Sequence, residues 1–114
     1  MEKRIHPRIE VTCPFLYSTD IYPRPKVAST LDLSMGGARI ETLYFLIEGE
    51  RFEISIAINS KVIKSRGHVV HAEWPVGERR KAGIQFQEIS KKDGLYLGEY
   101  ISFIRDQKAQ MSSF

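Results

Sequence analysis

The 114-residue chain lacks several features that would assign it to a class of protein at once. It has a single cysteine, Cys13, so no internal disulfide can form, and its strand-like surroundings favour an inert buried thiol. No apolar run approaches the roughly 18–20 residues that a membrane helix requires. The first residues are charged and are not followed by an apolar stretch, which is unlike a secretory signal. We therefore expect a cytoplasmic protein without membrane insertion.

The chain is also poor in residues arranged for catalysis or metal binding. It has three histidines, and His68 and His71 are three positions apart on a predicted strand, which points them to opposite faces. Ser34 has no acid–histidine pair at a recognisable catalytic spacing. We expect no enzyme activity, no catalytic residue, no metal site and no cofactor.

Positively charged residues are concentrated in two regions of the chain. The formal net charge is only +3, yet residues 1–40 hold six Lys and Arg against four acids, and residues 61–81 hold six against two. Such a distribution is compatible with an ordinary mixed surface. It would also allow the two regions to meet around a small anion.

Alternation of apolar and polar residues predicts about six strands. The clearest run is "RFEISIAIN", in which every second residue from Phe52 to Ile58 is apolar. In the run "VASTLDLS", the same alternation is predicted to point Val27, Leu31 and Leu33 inward and Thr30 and Asp32 outward.

The period changes near residue 90, where apolar residues recur at helical spacing. Ser90 with Asp93 three positions later is a helix-start signature, and the pattern predicts a helix over about 90–109. A short chain with many hairpins tends to close into a barrel, which removes exposed edges. The sequence therefore predicts one domain, all-β with one helix: a six-stranded antiparallel β-barrel with a C-terminal α-helix over one opening or one face.

The stretch "DLSMGGARI" combines polar side chains with two glycines. Asp32 and Ser34 are two positions apart and would share one face of a strand. Gly36 and Gly37 permit positive φ and would expose backbone N–H groups that suit an anion. An ordinary hairpin turn explains the same residues, so this stretch alone leaves both interpretations open.

A pair of arginines lies near the start of the chain, in "RIHPR". Pro7 favours an extended backbone, in which Arg4 and Arg8 would project the same way about 13 Å apart. A guanidinium matches phosphate, matches the edge of guanine and stacks on flat rings. An unremarkable basic tail is the alternative interpretation.

Taken together and in this order, the two stretches resemble a known family. "RIHPR" matches the RxxxR pattern and "DLSMGG" the [D/N]xSxxG pattern of PilZ domains, and "GHVVHAEW" followed by "KAGIQFQEIS" resembles their second half. The resemblance implies a PilZ-like split barrel that binds the bacterial second messenger cyclic di-GMP, as one molecule or a stacked pair. It implies as ligand-binding residues Arg4, Arg8, Asp32, Ser34 and Gly37, with Gly36, Arg39 and Arg66 as further candidates.

The resemblance also implies a mode of action. Residues 1–8 would be a ligand-binding arm, and residues 9–110 would be the PilZ domain. We expect the arm to change conformation when cyclic di-GMP binds and so to regulate a separate effector protein, in motility, exopolysaccharide or biofilm processes.

Two alternatives belong to other classes. One is a small basic barrel that binds single-stranded nucleic acid, which would need exposed aromatic side chains beside basic ones. Strand parity predicts that Phe15, Phe52, Phe86 and Trp74 point mostly inward, which argues against it. The other is an interaction module that works without a ligand.

Overall fold

The structure is a computed structural model that describes residues 6–19 and 23–111. Arg4, a member of the first motif, lies outside the described residues. Within them the elements are β1 (Ile9–Glu10), β2 (Pro14–Ser18), β3 (Lys26–Leu33), β4 (Gly37–Thr42), β5 (Arg51–Ile58), β6 (Lys61–Ala72), β7 (Arg80–Ile89) and helix α1 (Lys91–Met111).

Strands β2 to β7 close into a barrel. Hydrogen-bonded neighbours follow the order β3-β2-β5-β6-β7-β4, and β4 pairs again with β3 to complete the ring. The pairings between the described strands are antiparallel. Strand β1 pairs with the last residues of β3, and β2 pairs with the earlier residues of the same strand. β1 and β2 therefore act as one interrupted strand. The predicted six-stranded antiparallel barrel with a C-terminal helix is confirmed.

The interior of the barrel is filled by the alternate residues that the apolar pattern identified. Phe52, Ile54, Ile56 and Ile58 on β5 are each at most 3% exposed. Every strand contributes to the same cluster, because each apolar run has one face toward the barrel axis. The core thus lies inside the ring of strands, and the outer face remains available for polar side chains.

Strand β3 departs from the predicted alternation. Val27 is 61% exposed and Thr30 is fully buried, so the prediction of Val27 and Leu31 inward and Thr30 outward is wrong for this part of the strand. A register shift between Thr30 and Asp32 then restores the expected parity, which leaves Leu33 buried. Because a bulge adds one residue to one strand, alternation read along the sequence fails on one side of it.

The buried threonine hydroxyl has a structural reason for its position. Its Oγ1 accepts a hydrogen bond from the backbone N–H of Cys13 at 2.8 Å and donates one to the carbonyl oxygen of Val11. These two groups lie in the interruption between β1 and β2, where the strand ladder does not pair them. Thr30 therefore replaces the missing ladder bonds inside the barrel.

Helix α1 covers one end of the barrel. It starts after Ser90, whose Oγ accepts from the Asp93 N–H at 3.1 Å, as the sequence predicts. The Asp93 carboxylate instead accepts from the Lys64 N–H at 2.9 Å, which ties the helix to β6. Leu97 and Ile101 are buried against the core. In the described part of the chain, no helix has the length and apolar character needed to cross a membrane.

The single cysteine is buried, as predicted, and it lies under this helix. Cys13 is 4% exposed, and its Sγ is 4.0 Å from the hydroxyl of Tyr100 on α1. Burial, with the nearby thiol, raises the pKa of Tyr100 to about 12. Tyr100 therefore remains neutral, and its contact with Cys13 joins the helix to the β1–β2 interruption.

The opposite end of the barrel exposes apolar side chains. The connection after β4 leaves Phe45 66% exposed, and the connection after β6 leaves Trp74 92% exposed. The prediction that Trp74 points inward is wrong, because β6 ends at Ala72 and strand parity no longer applies beyond it. Phe15 and Phe52 are buried and Phe86 is partly buried, as predicted.

Replacing Thr30 with valine tests the role of the buried hydroxyl. Valine keeps the volume but leaves the Cys13 N–H and the Val11 carbonyl without partners. We expect the free energy of unfolding in urea to fall by about 1–3 kcal/mol. The same change at the exposed Thr12 is the matched control and should alter stability by less than about 0.5 kcal/mol. Equal effects at both positions would contradict the assigned role.

Candidate ligand-binding site

The structure brings the first sequence motif onto the second. Strand β1 pairs Ile9 with Leu33 and Glu10 with Asp32, which places the preceding Arg8 beside the end of β3. Arg8 Nη1 lies 3.8 Å from Asp32 Oδ2, and the Arg8 side chain is 43% exposed. The two motifs therefore meet at the helix-covered end of the barrel, with an arginine that solvent can reach.

Asp32 is a partly buried carboxylate at this end of the barrel. Its side chain is 17% exposed, and its Oδ1 is buried without a hydrogen-bond partner in the described structure. A buried oxygen without a partner is costly, since water can no longer satisfy it. This oxygen therefore lacks a donor, and a ligand N–H group would supply one only after the groups that cover the oxygen move aside.

The turn between β3 and β4 is held by Ser34. Its Oγ accepts from the N–H groups of Gly36 and Gly37, both at 3.1 Å, and donates to the carbonyl oxygen of Gly37 at 3.2 Å. These two N–H groups are not free to form an anion-binding cradle in this structure, because the serine hydroxyl accepts from both, which favours the interpretation as an ordinary hairpin turn. Neither glycine has a positive φ. Ser34 thus acts within the turn and is itself buried.

Gly37 is needed for close packing against β7. A Cβ at this position would collide with the carbonyl oxygen of Ile84, a backbone atom that cannot move away alone. A Cβ at Gly36 would lie 2.8 Å from the ring of His6, so the chain before β1 also runs across this turn. Gly37 therefore lets the backbones of β4 and β7 pack closely, and Gly36 leaves room for the His6 ring.

Arg39 extends the polar surface from β4. It lies directly opposite Asp32 in the β3–β4 ladder and makes two bonds to Glu73, from Nε to Oε2 at 2.7 Å and from Nη2 to Oε1 at 2.8 Å. These hydrogen bonds raise the pKa of Arg39 and lower that of Glu73. Asp32 adds an attraction for the same guanidinium. Arg39 therefore borders the candidate site, and its guanidinium is bound to the carboxylate of Glu73.

Arg66, the other further candidate, lies elsewhere on the barrel. Its Nη2 is 3.1 Å from Glu53 Oε1, and both side chains are more than 60% exposed. Together with Arg51 and Glu88 it lines a separate groove of about 300 Å³ on the outside of β5, β6 and β7. The structure does not bring it together with Asp32.

Sequence reasoning did not identify Glu73 as part of this surface. Glu73 follows β6, Arg39 lies on β4, and β7 runs between them. Gly83 of β7 pairs with Arg39 and has no side chain on the path. This contact depends on the register of three strands, which no local motif encodes. Among the described residues, no three His, Cys, Asp or Glu side chains cluster as metal ligands would.

The fold and the two converging motifs define a class: small closed β-barrels with a polar, arginine-bordered surface on the rim beside a capping helix. The chain belongs to the PilZ domain family, because the family model described as "PilZ domain" matches residues 2–103. The resemblance drawn from the sequence is thereby confirmed. No curated protein matches the chain.

Solved structures with the same fold include three bacterial proteins. The PilZ domain of YcgR from Escherichia coli with c-di-GMP aligns at TM-score 0.76 and 16% identity, over 98% of each chain. Bacillus subtilis inhibitor of motility, MotI/DgrA, gives 0.79 and 19%, over 96% of this chain and 53% of that one. The K. pneumonia MrkH–c-di-GMP complex gives 0.75 and 15%, over 96% and 56%. The chain thus spans about half the length of MotI/DgrA and MrkH, and these similarities establish the fold.

Substitution of Gly37 by alanine tests the packing role of this glycine. The new Cβ would press on the Ile84 carbonyl oxygen, so we expect urea denaturation to show a loss of about 1–3 kcal/mol. Gly83→Ala is the control on the neighbouring strand, because its Cβ would meet only Val70 Cγ2 at 3.5 Å, an ordinary contact. A stable Gly37→Ala variant that had lost only ligand affinity would instead assign Gly37 to ligand contact.

Proposed function

We propose that this chain is a non-catalytic receptor for cyclic di-GMP. The observation that carries the proposal is the meeting of Arg8 with Asp32, whose buried Oδ1 has no partner in the described structure. Membership of the PilZ family and the two c-di-GMP complexes with the same fold support it. The proposed binding residues are Arg4, Arg8 and Asp32, with Arg39 beside them.

The chemistry of the ligand fits these groups. Cyclic di-GMP carries two phosphates, which a guanidinium can bind through two parallel N–H bonds, and two guanines. The Watson–Crick edge of guanine presents N–H donors, for which the unpartnered oxygen of Asp32 is a suitable acceptor. Arg8 is exposed enough to turn from Asp32 toward a phosphate or a base.

Ser34, Gly36 and Gly37 would contribute indirectly. The serine hydroxyl is engaged by the two glycine N–H groups, so we assign it to holding the turn on which Asp32 and Arg39 depend. These residues would form a rigid surface beneath a bound ligand. This assignment differs from the direct ligand contacts that the family resemblance implies for Ser34 and Gly37.

The N-terminal arm, residues 1–8, would convert binding into a signal. We propose that Arg4 and Arg8 close over cyclic di-GMP and that the arm thereby presents a changed surface to an effector protein. The strands and core of the PilZ domain, residues 9–110, would keep their packing beneath it. The Bacillus neighbour is an inhibitor of motility, and motility, exopolysaccharide or biofilm control in the cytoplasm is the corresponding proposal for this chain.

Calorimetric titration with cyclic di-GMP tests the receptor function and counts the molecules bound, one or a stacked pair. Arg8→Ala should weaken binding by about 2 kcal/mol or more, which is about 30-fold, because a charge-assisted phosphate contact is lost. Arg8→Lys keeps the charge without the planar fork and should restore only part of the affinity.

Arg79→Ala is the control for that titration, since it removes an equal charge at the far end of β4, where Arg79 lies 3.7 Å from Glu41. Its affinity should remain within about twofold of the native value. If the native chain fails to bind cyclic di-GMP, the receptor function is wrong. Binding of single-stranded nucleic acid in its place would favour that alternative, and binding of neither would leave an interaction module.

The arm hypothesis makes a separate prediction about backbone protection. Hydrogen exchange of residues 2–9 should slow when cyclic di-GMP is added at saturation, because the arm gains contacts with the ligand. Residues 54–58 of β5, inside the barrel wall, provide an internal reference that should not change. Equal exchange of the arm with and without ligand would refute the switch while leaving simple binding intact.

A further inference from the structure

The two bonds between Arg39 and Glu73 form the best-aligned ion pair described in the structure. Both carboxylate oxygens of Glu73 are used, at 2.7 and 2.8 Å, against two different nitrogens of one guanidinium. The other described arginine–carboxylate pairs are longer, at 3.1 to 3.8 Å. Parallel bonds of this kind are the strongest arginine–carboxylate geometry. Glu73 therefore fixes the orientation of Arg39, while 37% of the arginine side chain stays exposed to solvent.

This pair continues the polar surface of the proposed site. Arg8 lies beside Asp32, Asp32 lies opposite Arg39 in the ladder, and Arg39 binds Glu73. We call these four side chains the charge row, because their signs alternate along it. A ligand with two phosphates would be attracted to its two cations and repelled by its two carboxylates.

The two carboxylates of the charge row differ in what they can offer a ligand. Asp32 has a buried oxygen without a partner and can accept N–H donors of a base. Glu73 has both oxygens bound to Arg39, and its lowered pKa keeps it ionised at neutral pH. Toward a phosphate, Glu73 is consequently a competitor for the same guanidinium.

We propose that Glu73 sets the affinity of the site by occupying Arg39 in the free protein, and that a ligand phosphate displaces it on binding. The inference rests on the proposed cyclic di-GMP function. The exchange replaces the Arg39–Glu73 pair by a pair between Arg39 and the phosphate. The free energy needed to break the first pair therefore makes the binding free energy less favourable. Removing the charge of Glu73 should recover that cost.

Displacement would also act on the connection between β6 and β7. Glu73 begins this connection, its N–H donates to the Lys81 carbonyl at 2.9 Å, and Trp74 follows it. The side-chain bonds to Arg39 tie the connection across β7 to β4. When a ligand phosphate binds Arg39, residues 73–79 lose that tie. Ligand binding thereby loosens the exposed end of the barrel that includes Trp74.

The affinities of three proteins for cyclic di-GMP test the competition. Glu73→Gln should bind about threefold to fivefold more tightly than the native chain, the gain expected from releasing a surface ion pair. Glu41→Gln is the matched control, since Glu41 lies on β4 two residues from Arg39, acts on its charge and pairs with Arg79 instead. Its affinity should change by less than about twofold.

The dependence on Arg39 is tested by a double-mutant cycle. In the Arg39→Ala background, Glu73→Gln should bring no gain, because there is no guanidinium to release. A gain that persists there, or one that Glu41→Gln reproduces, would show a general charge effect and overturn the proposal. Weaker binding by Glu73→Gln would also overturn it, since Glu73 would then position Arg39. A native chain without affinity for cyclic di-GMP would refute the receptor function itself, and this inference with it.

Hydrogen exchange supplies a readout that a purely structural role would not move. In the native chain, saturation with cyclic di-GMP should speed exchange of residues 73–79, and in Glu73→Gln these residues should exchange faster before ligand is added. Arg39→Ala should show the faster exchange without any response to ligand. Ligand-induced slowing of 73–79 in the native chain would contradict the displacement.

Discussion

The contact between the 34–37 turn and strand β7 is the constraint on which the candidate site depends. The carbonyl oxygen of Ile84 occupies the space that a side chain at residue 37 would need, and the Phe86 N–H donates to the Gly36 carbonyl at 2.9 Å. Only glycine permits this approach. Since β4 begins at Gly37, the contact fixes the register in which Arg39 faces Asp32. The serine hydroxyl inside the turn completes the arrangement.

Most of the fold could be predicted because a barrel wall has one apolar face and one polar face. Alternation therefore identified the strands and the core, and the change to helical spacing identified α1. It failed where local geometry departs from a regular strand. At Thr30 the reason is a bulge and a buried hydroxyl that replaces ladder bonds, and at Trp74 the strand has already ended. Neither feature has a periodic signal in the sequence.

The sequence predicted in part which side chains of the candidate site lie together, but it did not predict how they contact one another. Motif order indicated that Arg8 and Asp32 belong together, and the short β1–β3 pairing brings them together. The family resemblance implied that Ser34 and Gly37 contact a ligand. In the structure the serine hydroxyl bonds inside the turn, and the missing side chain of Gly37 allows close packing on β7. The contact of Glu73 with Arg39 could not be predicted from a local motif, because it crosses an intervening strand.

The candidate site has one rigid side and one adjustable side. On the rigid side, the turn is packed between β7 and helix α1, where Met35 Sδ lies 3.3 Å from the position of a Cβ at Gly98. On the adjustable side, ion pairs at partly exposed side chains hold Arg8 and Arg39. Such pairs cost little to exchange, whereas the packed turn does not yield without loss of the core. A bound anion would therefore rearrange the arginines and what they hold, and leave the barrel unchanged.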